Sequence, residues 1–301
     1  MLSAVYRWID RNILELGREM RLSYLPPLMV YCAAGVSGLT GIVGTFFIKD
    51  YLDLSAAFLA ALGFWAGIPW ALKMPIGHLV DLLWRYKSGL VYLGASLIAA
   101  SLLIMIGLIG HPEAMRAIMP AEAWFVLSVL LSPIGYVMQD AVADAMTVEA
   151  VPRLDTGGQP IDAATVRLMH TTMQMLGRVA IIGGSVLVSL ANVAMFQGAE
   201  TLPESEKVAI YIRIYELALL IPLLSVSGVI LGGILKRREA GRLAALGKSR
   251  AEIDQLVHDQ EEKTAPNWWI LGGSAVFISL TLTVGLSRIA FGQEIIFIGS
   301  F

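Results

Sequence analysis

Asp140 and Asp144 stand four residues apart in a run of otherwise apolar residues, with Glu149 close behind. At about 100° per residue the two aspartates share one helical face, and Tyr136 and Thr147 fall within about 40° of Asp140. Glu149 falls on the opposite side. A second apolar run carries Arg167, His170, Thr171, Gln174, Arg178, Ser185, Ser189 and Asn192. All eight lie within about 60° of one helical line, while Val179, Ile182 and Val186 point elsewhere. Charges in apolar runs cost about 2.5–3.5 kcal/mol each on membrane-insertion scales, so they face a bundle interior or a watery cavity. Two chemistries suit these types: carboxylates that exchange protons, and arginines that attract an anion. The spacing predicts that Asp140 and Arg178 lie at similar depth on antiparallel neighbours and pair, either as a static tie or as a bridge that opens. His170 could titrate, although a single histidine at a helix start is more often simply hydrogen-bonded.

The elements that must position these residues are membrane helices. Of 301 residues, 56 % are hydrophobic and 15 % charged, against about 25 % charged in an ordinary soluble domain. Apolar stretches long enough to cross about 30 Å of hydrocarbon recur along the chain. Runs such as Gly89–Gly110 are apolar on every face, which excludes the alternation of a barrel strand. Seven spans are expected, at Tyr24–Phe47, Ala56–Leu72, Gly89–Gly110, Trp124–Glu149, Ala164–Phe196, Val208–Leu235 and Trp268–Phe291. An eighth apolar run begins at Glu294.

Basic residues set the expected orientation. Arg7, Arg11, Arg18 and Arg21 precede the first span; Lys73, Arg85 and Lys87 follow the second; Arg153 and Arg167 flank the loop after the fourth. Lys236, Arg237, Arg238, Arg242, Lys248 and Arg250 follow the sixth, whereas the alternate connections hold only Lys49, Arg116 and Lys207. The N-terminus is therefore expected to be cytoplasmic, in a bacterial-type inner membrane. Residues 1–23 fit a cytoplasmic surface helix over Leu2–Arg21, and 24–235 form the six-span bundle. Residues 236–266 read as a charged, helix-prone cytoplasmic linker with a capping box from Ser249 to Glu252, and 267–301 hold the seventh span and the start of an eighth. Arg213 and Glu216 are spaced for a helical pair, and Arg288 lies near enough to a boundary to snorkel. Gly35, Gly38, Gly41, Gly44, Gly183 and Gly184 would permit close helix approach. Cys32 is the only cysteine, so no intrachain disulfide exists. No P-loop, His-Glu-x-x-His, cysteine pair or Gly-x-Ser-x-Gly occurs, so neither enzymatic chemistry nor a cofactor is expected.

The second connection reads Gly77-His78-Leu79-Val80-Asp81, with Arg85 and Lys87 following. Major-facilitator transporters carry a Gly-x-x-x-Asp loop with basic residues at this place. The glycine suits a turn, and the aspartate suits a helix cap or a basic partner. Phe46 to Ser55 resembles the first extracytoplasmic turn of the folate–biopterin transporter family, as do Pro69-Trp70-Ala71-Leu72-Lys73 and Asp140-Ala141-Val142-Ala143-Asp144 with Glu149. Two departures stand out: Met74 separates Lys73 from Pro75, and the basic residue after Glu149 is delayed to Arg153.

The resemblance implies an all-α membrane fold, a six-helix major-facilitator-like N-terminal bundle plus a seventh span, short of the family's twelve. It implies a secondary transporter, or half of one, for a small organic solute of folate or pterin type, anionic if Arg167 and Arg178 attract it. Asp140 or Asp144 would couple protons, with His170 and Gln174 along the path. Gly77, Asp81 and Arg85 would form a conformational loop. Expected partners are the bilayer, the solute and a second half-transporter or larger membrane complex, with no nucleic acid or metal. The rival expectation is a non-transporting subunit or assembly factor docked on a complex such as a pigment–protein assembly.

Overall fold

A computed structural model describes residue 17 and residues 19–47, 52, 54–155, 157–257 and 265–286. Helices dominate; apart from one isolated bridge between Leu154 and Pro160, no strand pairing occurs among the described residues. Seven helical segments are long and apolar enough to cross a bilayer: Leu22–Phe47, Ala56–Leu82, Trp84–Gly110, Ala121–Ala150, Ala163–Phe196, Glu204–Ala245 and Trp268–Gly285. They are spans one to seven below, and each overlaps its expected counterpart. Most of the expected surface helix Leu2–Arg21 lies outside the described residues, as do Lys49, Asp50, Arg288 and Glu294–Phe301.

Span one is central, packing against spans four, five and six. Span four packs against one, two and three, and span three also meets six. The most extensive crossing joins three and four. A Cβ on Gly94 would lie 2.7 Å from the Gly135 carbonyl oxygen, and one on Gly135 would lie 2.6 Å from that of Gly94. Two turns further on, Ser101 Oγ donates to the Ser128 carbonyl (2.8 Å) and Ser128 Oγ to the Ser101 carbonyl (3.0 Å). Buried Gln139 extends this to span six: its Oε1 accepts from Ser225 Oγ at 2.9 Å, and its Nε2 donates to the Val91 carbonyl at 3.3 Å. Such bonds are the adhesive between helices that share an apolar solvent.

Of the glycines expected to draw helices together, only Gly35 and Gly184 do so strongly. A Cβ on Gly184 would sit 2.9 Å from Gly35 Cα, whereas Gly41 and Gly183 have nothing within 4 Å and Gly38 and Gly44 meet only loose neighbours. Helical spacing alone did not reveal which side of span one faces span five.

Two boundaries differ from expectation. Span six does not end at Leu235: the helix Leu220–Ala245 carries Lys236, Arg237, Arg238 and Arg242 on unbroken turns. At 1.5 Å per residue span six runs to about 60 Å, so its basic end projects past the hydrocarbon. Gly247, at φ 82°, stops it: its N–H reaches the Ala244 carbonyl while Lys248 reaches that of Leu243. The expected capping box then opens the helix Arg250–Val257. Ser249 N–H donates to Glu252 (2.8 Å) and Glu252 N–H to Ser249 Oγ (3.3 Å). These bonds to Ser249 hold the Glu252 carboxyl below its ordinary range.

The second difference concerns span two, which continues to Leu82. Gly77 and Asp81 are therefore helical rather than part of a loop, and Arg85 lies in the 3-10 turn Trp84–Tyr86. The chain instead breaks at Leu72 (φ −89°, ψ 8°). Pro75 explains the position: it has no N–H for the Ala71 carbonyl, and its ring crowds that oxygen.

Candidate functional site within the spans

Leu72 ends one helix and Lys73 begins the next, so the Lys73 side chain leaves span two at the break. Its Nζ meets Asp140 at 2.5 Å and Asp144 at 3.0 Å. Both aspartates lie on the helix Ala121–Ala150, one turn apart, and present the same face to span two. Tyr31 of span one completes the cluster, donating its hydroxyl to Asp144 at 2.5 Å. Its ring is held in place because Gly177 of span five has no side chain; a Cβ there would lie 2.9 Å from the ring edge. Three spans thus supply the charges and hydroxyl, and a fourth supplies the space.

The cluster is graded in access. The Asp140 side chain is 10 % exposed, Lys73 40 % and Asp144 51 %. Two carboxylates share one ammonium, which leaves one negative charge uncompensated when both are ionised. In a membrane interior such a charge is costly. A proton, or a cationic group arriving at the open Asp144 side, would neutralise it.

The expected partner of Asp140 was Arg178, and this is corrected. Arg178 is exposed and has no ion pair among the described residues; Lys73 occupies the position. The reason lies in how span five turns. Met173, Leu176, Gly177 and Gly184 bury one face against the rest of the bundle. The polar line lies about a third of a turn away by helical geometry. Arg167, Thr171, Gln174, Arg178, Ser185 and Ser189 are exposed along it, His170 is half-buried and Asn192 is buried. From this line Ser185 Oγ donates across to span one, to the Gly35 carbonyl at 3.3 Å. Leu168, Met175, Val179, Ile182, Val186 and Val193 form the apolar outer face beyond it. Span five begins on Asp162, whose carboxylate accepts from the N–H groups of Ala164 and Thr165 and from the Thr165 hydroxyl. The Thr165 bonds hold that carboxyl below its ordinary range.

Gly77, Asp81 and Arg85 do not assemble into a site. A Cβ on Gly77 would meet nothing within 4 Å, and exposed Asp81 and Arg85 have no ion pair among the described residues. Arg213 and Glu216 are exposed and likewise do not pair with each other. The residue between Gly77 and Asp81 that does hold something is His78. Its Nε2 accepts the Asn267 N–H at 2.9 Å, fixing the start of span seven against span two. Asn267 Oδ1 in turn accepts from Trp269 N–H at 3.1 Å, capping span seven.

Glu149 anchors a separate, part-buried triad where spans three, four and six meet. One oxygen takes Lys87 at 2.5 Å and the other Lys236 at 2.8 Å. Lys87 also sits 3.8 Å above the Trp84 ring. This is the basic end of the bundle. Sequence reading missed Lys73, Tyr31 and the two lysines on Glu149. Lys73 had a visible signal, since Pro75 places a helix break beside it. Tyr31 had none, because its role depends on Gly177 in another span.

Fold and site define a multi-pass α-helical membrane protein with a cluster of acidic, basic and hydroxyl side chains inside its spans. Compared with known protein families, curated proteins and solved structures, the chain has no match.

Proposed function

We propose that this chain is a secondary transporter, or one half of one, of major-facilitator-like fold, moving a small organic solute of folate or pterin type. It would lie in a bacterial-type inner membrane with its N-terminus and basic end cytoplasmic. The observation that carries the reading is the Lys73–Asp140–Asp144–Tyr31 cluster, placed within membrane spans yet half-open on its Asp144 side. The Glu149 triad is largely enclosed and has a base in excess. The Lys73 cluster has an acid in excess and an exposed edge, as a proton-exchanging or cation-exchanging site requires. The exposed polar line of span five supports the same reading. Arg178, several turns into the span, could not face lipid without a penalty of about 2.5–3.5 kcal/mol. That face therefore borders water or further protein, and its arginines would attract an anionic solute.

The test is uptake of labelled folate and pterin by liposomes carrying the full chain, with a proton gradient imposed. Gradient-driven uptake, lost in Asp140→Asn and Lys73→Met, supports the proposal. Absence of uptake and of solute-coupled proton movement, together with stoichiometric co-purification in a large membrane complex, would replace it with the docking-subunit reading.

A further inference from the structure

A cavity of about 520 Å³ opens at the basic end, between the start of span one, the end of span four and the projecting end of span six. It is separate from the Lys73 cluster, and nothing in the transport reading uses it. Pro26, Met146 and Leu243 give it an apolar floor, and Arg21, Arg153, Lys236, Arg238 and Arg242 give it a cationic wall.

What matters is which of these charges are already committed. Glu149 is taken by Lys87 and Lys236. Glu239 is taken by Arg242 at 2.6 Å, and Arg242 also donates to the Asp155 carbonyl at 3.3 Å. Arg21, Arg153 and Arg238 remain, with no ion pair among the described residues, against one further carboxylate, Asp155. That carboxylate already accepts from Gln159 N–H at 2.8 Å. Three guanidinium groups around one cavity are a stronger feature than scattered basic residues on a membrane-facing end. Each can grip two oxygens of a tetrahedral anion, which an ammonium does less well. The apolar floor asks for more than an inorganic ion, because it leaves room for a carbon skeleton beside the charge.

We propose that this cavity binds a phosphate ester through Arg21, Arg153 and Arg238, with the ester's carbon skeleton on Pro26, Met146 and Leu243. Two sources share this chemistry: an anionic glycerophospholipid of the adjoining leaflet and a soluble phosphate ester.

The full chain, purified in detergent, would be offered phosphatidylglycerol or phosphatidylcholine and examined by native mass spectrometry. In parallel, glycerol 3-phosphate would be titrated calorimetrically. Retention of phosphatidylglycerol over phosphatidylcholine, weakened about tenfold or more in Arg153→Gln/Arg238→Gln, is the result expected of a lipid source. Glycerol 3-phosphate binding with the same arginine dependence would assign a soluble one. The Arg153→Lys/Arg238→Lys variant keeps the charge and should bind with intermediate strength, which also reads the site if the glutamine variant fails to fold. Arg116→Gln, at the opposite end, should change nothing. Equal retention of both lipids with no glycerol 3-phosphate binding, or an Arg116→Gln loss as large as that of the cavity variants, would overturn the proposal.

Discussion

Replacing Lys73 with methionine removes the base that two carboxylates share and keeps most of the side-chain volume. The cost follows from exposure. Breaking a fully buried pair costs about 3–5 kcal/mol, and an exposed pair contributes about 0–1 kcal/mol. The Lys73–Asp140 contact lies between these limits, one side chain being 10 % exposed and the other 40 %. Lys73→Met should therefore destabilise by about 2 kcal/mol. Most of that loss is an uncompensated charge near Asp140 rather than a lost contact. Adding Asp140→Asn removes this charge and restores the net charge of the native cluster. The double variant should thus be more stable than the sum of the single losses, by about 1 kcal/mol or more. Reversible unfolding of the full chain in mixed micelles, followed by tryptophan fluorescence, measures all three variants. Additivity within about 0.5 kcal/mol would refute the reasoning, as would a Lys73→Met variant as stable as the native chain.

Tyr31→Phe keeps the ring against Gly177 and loses only the bond to half-exposed Asp144, so the same unfolding assay should show a loss of about 0.5–1.5 kcal/mol. Gly135→Ala forces a methyl group onto the Gly94 carbonyl and should cost about 1–3 kcal/mol, whereas Gly41→Ala, with open space around it, should be neutral or better. Asp162 caps span five as a carboxylate whose pKa is depressed in the folded chain. Its contribution is therefore present above the ordinary carboxylate range and fades as pH falls through the folded value; helix-start exchange protection should show this loss in the native chain and not in Asp162→Asn. A cysteine replacing Ser249 should react only with reagents reaching the basic side of the membrane, and one replacing Ser205 only from the opposite side.

The spans were legible because membrane insertion is written in one dimension: twenty apolar residues mark a helix whatever they pack against. The face shared by Asp140 and Asp144 was legible for a related reason, since helical geometry fixes neighbours one turn apart. The partner was not. Asp140 and Arg178 have suitable depth and opposite charge, and span five nevertheless turns its glycines toward span one and its arginine away. The choice was made by Gly177 and Gly184, whose missing side chains admit Tyr31 and Gly35. A rotation of a third of a turn about a helix axis changes no residue in the sequence and every contact in the site. Gly77 and Asp81 show the opposite error. Their spacing matched a familiar loop, but the local proline chemistry at Pro75 had already placed the break at Leu72.

That break has a mechanical consequence. Lys73 and His78 sit on one ten-residue helix, Lys73–Leu82, which is joined to the rest of span two at Leu72. Its first residue answers to two aspartates, and its sixth holds the start of span seven through Asn267. The segment has the layout of a short lever: a charge at one end, a load further along, and its pivot at the fault Pro75 creates. A proton on Asp140 would leave Lys73 to Asp144 alone, so the charge end is expected to move toward Asp144 and the load to shift with it. Spin labels on span seven and span four would then report pH as distance, with the response abolished in Lys73→Met.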